Sequence, residues 1–188
     1  MITLVRVVAL AALLVPAASA HASPNSLPAT AARDTATLQF HDFRAGARLQ
    51  EIDGVLRRSG GGGLRCDRAK ADRRVTECRA VVQLADLGGP VDVWLSAVDS
   101  VASVITLSGD GAGGQIDRWR RAIERRYGMV GAQVQGPQWM MQWVRQGRML
   151  RLTWRTDRNQ RPVSVSLVDG RVLDAWGRAR SKFAKNPS

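Results

Sequence analysis

The chain has 188 residues, 45% hydrophobic and 23% charged, with a formal net charge of +12 but only two cysteines and two histidines. That length suits one domain of ordinary size or two small repeats sharing a core. So few cysteines and histidines exclude a zinc site built from them and remove most catalytic chemistries.

Residues 1–22 read as an export signal, with Arg6 as the positive segment, Val7 to Val15 as the apolar run and Ala18-Ser19-Ala20 or Ala20-His21-Ala22 as the small-residue cleavage site. An apolar run of about ten residues is too short for a bilayer, which needs roughly twenty. The expectation is cleavage near Ala20 or Ala22, a periplasmic or secreted protein and no membrane span. No acceptor cysteine follows the apolar run directly, so lipid attachment is not expected there. Residues 23–37, with Pro24, Pro28 and many Ala, Ser and Thr, predict a flexible tether.

Leu49, Ile52, Val55 and Leu56 recur at helical spacing and Gly60 to Gly63 end the segment, which predicts a first helix. Gly54 inside it is expected to mark a close approach to a sheet. Leu64 and Cys66 share one face of a short strand, and Cys78, Ala80, Val82 and Leu84 share one face of the next, with the charged stretch Asp67 to Glu77 at the tip. In an oxidising compartment Cys66 and Cys78 form one disulfide, a structural staple across that hairpin. Val91 to Val98 and Val101 to Leu107 predict a second antiparallel pair joined at Asp99-Ser100.

Ser108 to Gly114 is glycine-rich but lacks the Gly-Lys-Ser/Thr ending of a phosphate loop. Ile116, Trp119, Ile123 and Tyr127 then form the apolar stripe of a second helix that stops at Gly128, with Arg118, Arg121 and Arg125 opposite. Strands follow at Trp139 to Arg145, Arg148 to Arg155 and Val163 to Leu167, the first two joined by Gln146-Gly147. Asp169 is placed to cap a final short helix that buries Val172 and Trp176.

The charge is unevenly placed. Residues 33–109 hold eleven basic against ten acidic side chains, a net of +1, whereas residues 110–188 hold sixteen against six, a net of +10. Arg outnumbers Lys 25 to 3, a ratio that a GC-rich coding sequence yields without selection for binding, so the excess alone defines no site.

One helix followed by antiparallel strands occurs twice. Leu49, Ile52 and Leu56 are matched in spacing by Ile116, Trp119 and Ile123, each stripe ending at a glycine. The expected fold is therefore α+β: a first repeat over 38–109, a second, basic and Trp-rich repeat over 110–180, and a disordered tail over 181–188. Together the repeats would form one antiparallel sheet with the helices on one face. Phe43-Arg44-Ala45-Gly46 before the first helix, Leu64-Arg65-Cys66 with Cys78 across a hairpin, and the Tyr127-Gly128 helix end carry a likeness. With them the chain resembles the tandem-repeat superfamily of the beta-lactamase inhibitor protein and the SmpA/OmlA-type outer-membrane assembly lipoproteins. It departs from the lipoprotein branch in lacking the acceptor cysteine, and its second repeat has no disulfide. The resemblance implies a non-enzymatic protein that binds another protein through its sheet face and hairpin loops; it transfers no functional residue.

Three functions compete. The first is an inhibitor-like module with a protein partner, for which Trp139, Met141 and Trp143 are candidate contacts because both faces of their strand, which also carries Met140, are apolar. The second is binding of anionic envelope lipid or glycan through the polar-face pairs Arg121 with Arg125 and Arg151 with Arg155. Nucleic acid does not suit the compartment. The third is an enzyme, but His41 has no partnered nucleophile, and Glu51 with Asp53 or Asp169 with Asp174 has no spacing that demands catalysis. The expectation is no enzyme, no metal and no cofactor.

Overall fold

A computed structural model describes residues 37–156 and 161–185. The signal segment, nearly all of the tether and the last three residues lie outside the described residues. Ahead of the first helix, Leu38, Phe40 and Phe43 are buried, and Phe40 and Phe43 close a tight turn by donating backbone hydrogen bonds to each other at 3.0 and 3.1 Å.

Helix α1 (Leu49–Arg58) buries Ile52, Val55 and Leu56. Four strands follow: β1 (Arg65–Arg68), β2 (Val75–Leu84), β3 (Gly89–Val98) and β4 (Val101–Gly109). Helix α2 (Gln115–Tyr127) precedes four more: β5 (Gln133–Gln135), β6 (Gln138–Arg145), β7 (Arg148–Arg155) and β8 (Val163–Asp169). Helix α3 (Gly170–Lys185) ends the described chain. The strands make one antiparallel sheet in the order β1-β2-β3-β4-β8-β7-β6-β5. The fold is α+β, as the sequence predicts. Strand β5 is the one strand that the pattern does not announce, being three residues long and wholly exposed.

Alternation sends Cys78, Ala80 and Val82 of β2, Val91, Val93 and Leu95 of β3, and Val163, Val165 and Leu167 of β8 to one face, where they join α1 and α2 in a single core. Trp119 is fully buried at its centre, donating its indole N–H to the Leu87 carbonyl at 3.1 Å and packing on Phe40. The close approach expected at Gly54 falls elsewhere. A Cβ on Gly54 would meet only the Arg58 side chain, whereas one on Gly61 would lie 2.9 Å from the Val81 carbonyl oxygen. Gly61 is where the helix exit passes against β2.

The disulfide joins Cys66 and Cys78, which face each other across β1 and β2 with Cα atoms 4.0 Å apart. Cys78 is fully buried and Cys66 is exposed at the sheet edge, so the staple runs from core to rim. Closing a loop of this size stabilises by about 3 kcal/mol in the chain-entropy account.

Helix α3 is longer than expected and runs past residue 180 to Lys185. It packs against β3, β4 and β7 near Val98 and Val101, on the sheet side away from α1 and α2. Asp169 caps it, accepting the Arg171 backbone N–H at 3.1 Å. The same carboxylate is 1% exposed and accepts from Arg148 Nε at 2.9 Å and Arg171 Nη2 at 2.8 Å. Trp176 fastens the helix further along by donating to Asp72 at 2.9 Å. Gly46, at φ +88°, is required here because a Cβ would fall 2.5 Å from the Asp169 carboxylate.

Replacing Trp119 with Ala should cost about 3–5 kcal/mol in urea unfolding, through the cavity and the orphaned Leu87 carbonyl. Burial pushes the Asp169 carboxyl up, but hydrogen bonds from Arg171 and Arg148 outweigh it and hold the pKa below its ordinary 3.8. A depressed folded pKa stabilises fully above the unfolded value, and that contribution is lost as pH falls through the folded value. Asp169→Asn should flatten this acid limb of a stability-against-pH curve. It should also cost about 2–3 kcal/mol at neutral pH, below the roughly 3–5 kcal/mol of a fully enclosed pair because Arg171 reaches water.

Candidate functional site: the uncovered sheet face

Among the described residues, the second face of the sheet is roofed only at its Val98–Val101 end, by α3. The ladder registers align its remaining side chains in rows that cross the strands. One row runs Arg65, Arg79, Trp94, Thr106, Ser166, Arg151 from β1 through β2, β3, β4 and β8 to β7. The next contains Val81, Asp92, Ser108, Ser164 and Thr153. The centre is thus a floor of hydroxyls, with Thr106 Oγ1 and Ser166 Oγ hydrogen-bonded at 3.1 Å.

Toward the β1 edge the floor opens into a cleft of about 710 Å³. Trp94 lies half-buried in it, among Arg65, Asp67, Glu77, Arg79 and Asp92, all exposed, and beside Val81, which is 46% exposed. The charges are arranged like against like. Arg65 stands directly opposite Arg79, and Asp67 directly opposite Glu77. Directly opposed like charges destabilise a sheet. Among the described residues, none of these four belongs to an ion pair. An aromatic half-exposed among charges without ion pairs is a surface suited to recognition rather than to the stability of the isolated chain.

The residues expected from sequence fall elsewhere. Met141 and Trp143 are each 4% exposed and belong to the core, which corrects their placement at a partner surface. Alternation explains the change: Trp139, Met141 and Trp143 all point to the helix side, and Gln138, Met140, Gln142 and Val144 point the other way. Trp139 stacks on Trp154 with centroids 5.9 Å apart, and the Trp143 indole donates to the Gly128 carbonyl at 2.9 Å. The four arginines form no single patch. Arg121 and Arg125 are exposed on the outer side of α2, while Arg151 and Arg155 point from β7 to the uncovered face. Arg151 is held by Gln142, donating twice to its Oε1 at 2.9 and 3.1 Å.

Trp94 was legible but overlooked. Val91, Val93 and Leu95 occupy the apolar phase of β3, so Trp94 shares the polar phase with Asp92 and Ser96. A tryptophan out of phase with its strand's apolar set is the signal.

Other chemistries find little footing. In the glycine-rich loop, the Gly111 N–H donates to Gln115 at 2.8 Å and the Ala112 N–H to Asp110 at 2.9 Å, so these donors are already engaged. His41 approaches Asp86 at 3.6 Å in a surface turn. Hydrogen bonds from Arg44 and the Arg48 backbone hold Glu51 below its ordinary pKa, and those from Arg57 and the Leu64 backbone do the same to Asp53. No group of three or more potential metal ligands occurs among the described residues, and no helix among them is long and apolar enough to cross a membrane. Comparison with protein-family models, curated proteins and solved structures finds no match.

If the like-charge arrangement strains the isolated chain, Arg79→Glu should raise the melting temperature slightly by giving Arg65 an opposite partner. A fall in melting temperature, read by circular dichroism, would count against that strain.

Proposed function

We propose that the protein is an exported, non-enzymatic binding module of the cell envelope that engages a protein partner through its uncovered sheet face. The observation that carries this reading is the Trp94 cleft: a half-exposed aromatic ringed by charges that form no ion pair among the described residues. Tryptophan and arginine are the side chains most enriched where interfaces concentrate their binding energy. Export is supported by the signal-like N-terminus and by a disulfide of the kind that persists in oxidising compartments.

The order of elements supports a tandem repeat. One helix and four strands occur twice, and the last strands of the two sets, β4 and β8, meet at the middle of the sheet. Two such units related by a two-fold axis normal to the sheet would give this order, in keeping with the resemblance to the beta-lactamase inhibitor protein superfamily. Among the described residues, the carboxylates whose pKa values are displaced are displaced downward, each held by hydrogen bonds to its ionised form. That is the opposite of a general acid, which needs a raised value.

A second reading, binding of anionic lipid or glycan, draws on Arg121 and Arg125, which are exposed on α2 and form no ion pair among the described residues. The two readings separate by salt. Affinity capture with the tagged mature protein from an envelope fraction should retain a stoichiometric protein through a high-salt wash. Trp94→Ala should abolish that capture while destabilising the fold far less than Trp119→Ala. Recovery of anionic lipid or glycan alone, lost as salt rises, would transfer the function to α2.

A further inference from the structure

The charge rows that cross β1 and β2 end at the sheet edge, and what lies beyond that edge can be read from the register. Strand β1 is the first in the sheet order, so its outer side has no neighbouring strand among the described residues, and all four of its residues are exposed. The Ala69 N–H donates to the Val75 carbonyl at 2.9 Å, which sets the phase of the ladder. Counting back by twos, Asp67 and Arg65 turn their backbone groups toward β2, and Cys66 and Arg68 turn theirs outward. The 4.0 Å Cα separation of Cys66 and Cys78 agrees, since facing residues come closest where no backbone bonds are exchanged.

Each row therefore has one vacant neighbouring position, beyond β1. Trp94 already occupies the inner side of the Arg65–Arg79 row, and Ser96 that of the Asp67–Glu77 row. The vacant position beside Arg65 calls for an acid and the one beside Asp67 for a base. The chain itself carries that pair with the required spacing, because Arg65-Cys66-Asp67 is charge-complementary to its own reverse.

We infer that β1 is a dimerisation edge, on which a second copy of this chain pairs antiparallel about a two-fold axis at Cys66. In that register the two Cys66 residues exchange backbone hydrogen bonds, Arg65 faces Asp67 of the second copy, and Asp67 faces its Arg65. The row Arg79, Arg65, then Asp67 and Glu77 of the second copy reads positive, positive, negative, negative, and symmetry supplies it twice. Like charges that oppose one another within each chain become the two halves of an ion network between chains. Directly opposed residues of an antiparallel pair lie on one face, so the uncovered faces of the two copies join into one surface. The disulfide holds β1 in register on β2, which gives a four-residue edge the rigidity that pairing needs. This inference does not depend on the identity of any partner.

Sedimentation equilibrium of the oxidised mature protein, from dilute to near-millimolar concentration, tests it together with three variants. The parent chain should associate to a dimer that weakens as salt rises. Arg65→Asp and Asp67→Arg should each raise the dissociation constant by about tenfold or more, since each replaces attraction by repulsion in both symmetry-related rows. The double variant Arg65→Asp with Asp67→Arg restores opposite charges across the edge and should bring the dimer back. Each single reversal also removes a like-charge opposition inside the chain, so its melting temperature, read at a dilution where the parent chain is monomeric too, should not fall, and loss of the dimer cannot then be ascribed to unfolding. A parent chain that stays monomeric throughout, or a dimer indifferent to the single reversals, overturns the inference.

Discussion

Successive side chains of a strand go to opposite faces of the sheet, and α1 and α2 cover one of those faces only. From that restriction come the position of the core, the need for α3 and the character of the exposed surface. The covered face takes the aliphatic set and Trp119; the other must be tolerable to water wherever α3 does not reach. The hydroxyls of Thr106, Ser108, Ser164 and Ser166 provide that tolerance at the middle strands. They fill the pleat without apolar exposure, and Thr106 and Ser166 hydrogen-bond to each other across the ladder. Against that background Trp94 and Val81 are apolar exceptions on the β1 side of the sheet, as Val144 is on β6.

The C-terminal end of α2 is closed by tertiary partners as well as by its own last turn. At the end of α2, the Gly128 carbonyl accepts from Trp143 and the Tyr127 carbonyl from Arg145 at 3.0 Å, whose guanidinium also lies over the Tyr127 ring. The Tyr127 hydroxyl in turn accepts the Gln39 N–H and donates to the Gln39 carbonyl, each at 2.8 Å. One helix terminus thereby ties β6 and the segment before α1 together. At the start of α3 a single carboxylate both caps the helix and neutralises two arginines. Part of the basic excess of the second half is thus consumed in structure, which leaves less for binding than composition suggests.

Both main amphipathic helices, the cross-hairpin disulfide and the long strands were legible because each obeys a local rule: a period of 3.6 or 2, a glycine stop or a cysteine pair. Strand β5 was not, since three exposed residues carry no period. Gly54 and Gly61 could not be ranked, because which glycine meets β2 depends on how the helix leaves the sheet. Trp139 to Trp143 looked doubly apolar because Met140 fills the alternate phase, yet the tryptophans and Met141 share one side. The uncovered face needed the strand order. Pairing β4 with β8 aligns the rows across the sheet, and that long-range contact leaves no local trace in the sequence. The like-charge oppositions likewise appear only once β1 and β2 are in register.

The path of the backbone gives the molecule a direction through the sheet. Thr37 and Gln39 enter beside Tyr127 on the helix side, and the described chain leaves through α3 on the other. The described chain therefore begins and ends on opposite sides of a β-layer, so its two ends report on different faces of one sheet.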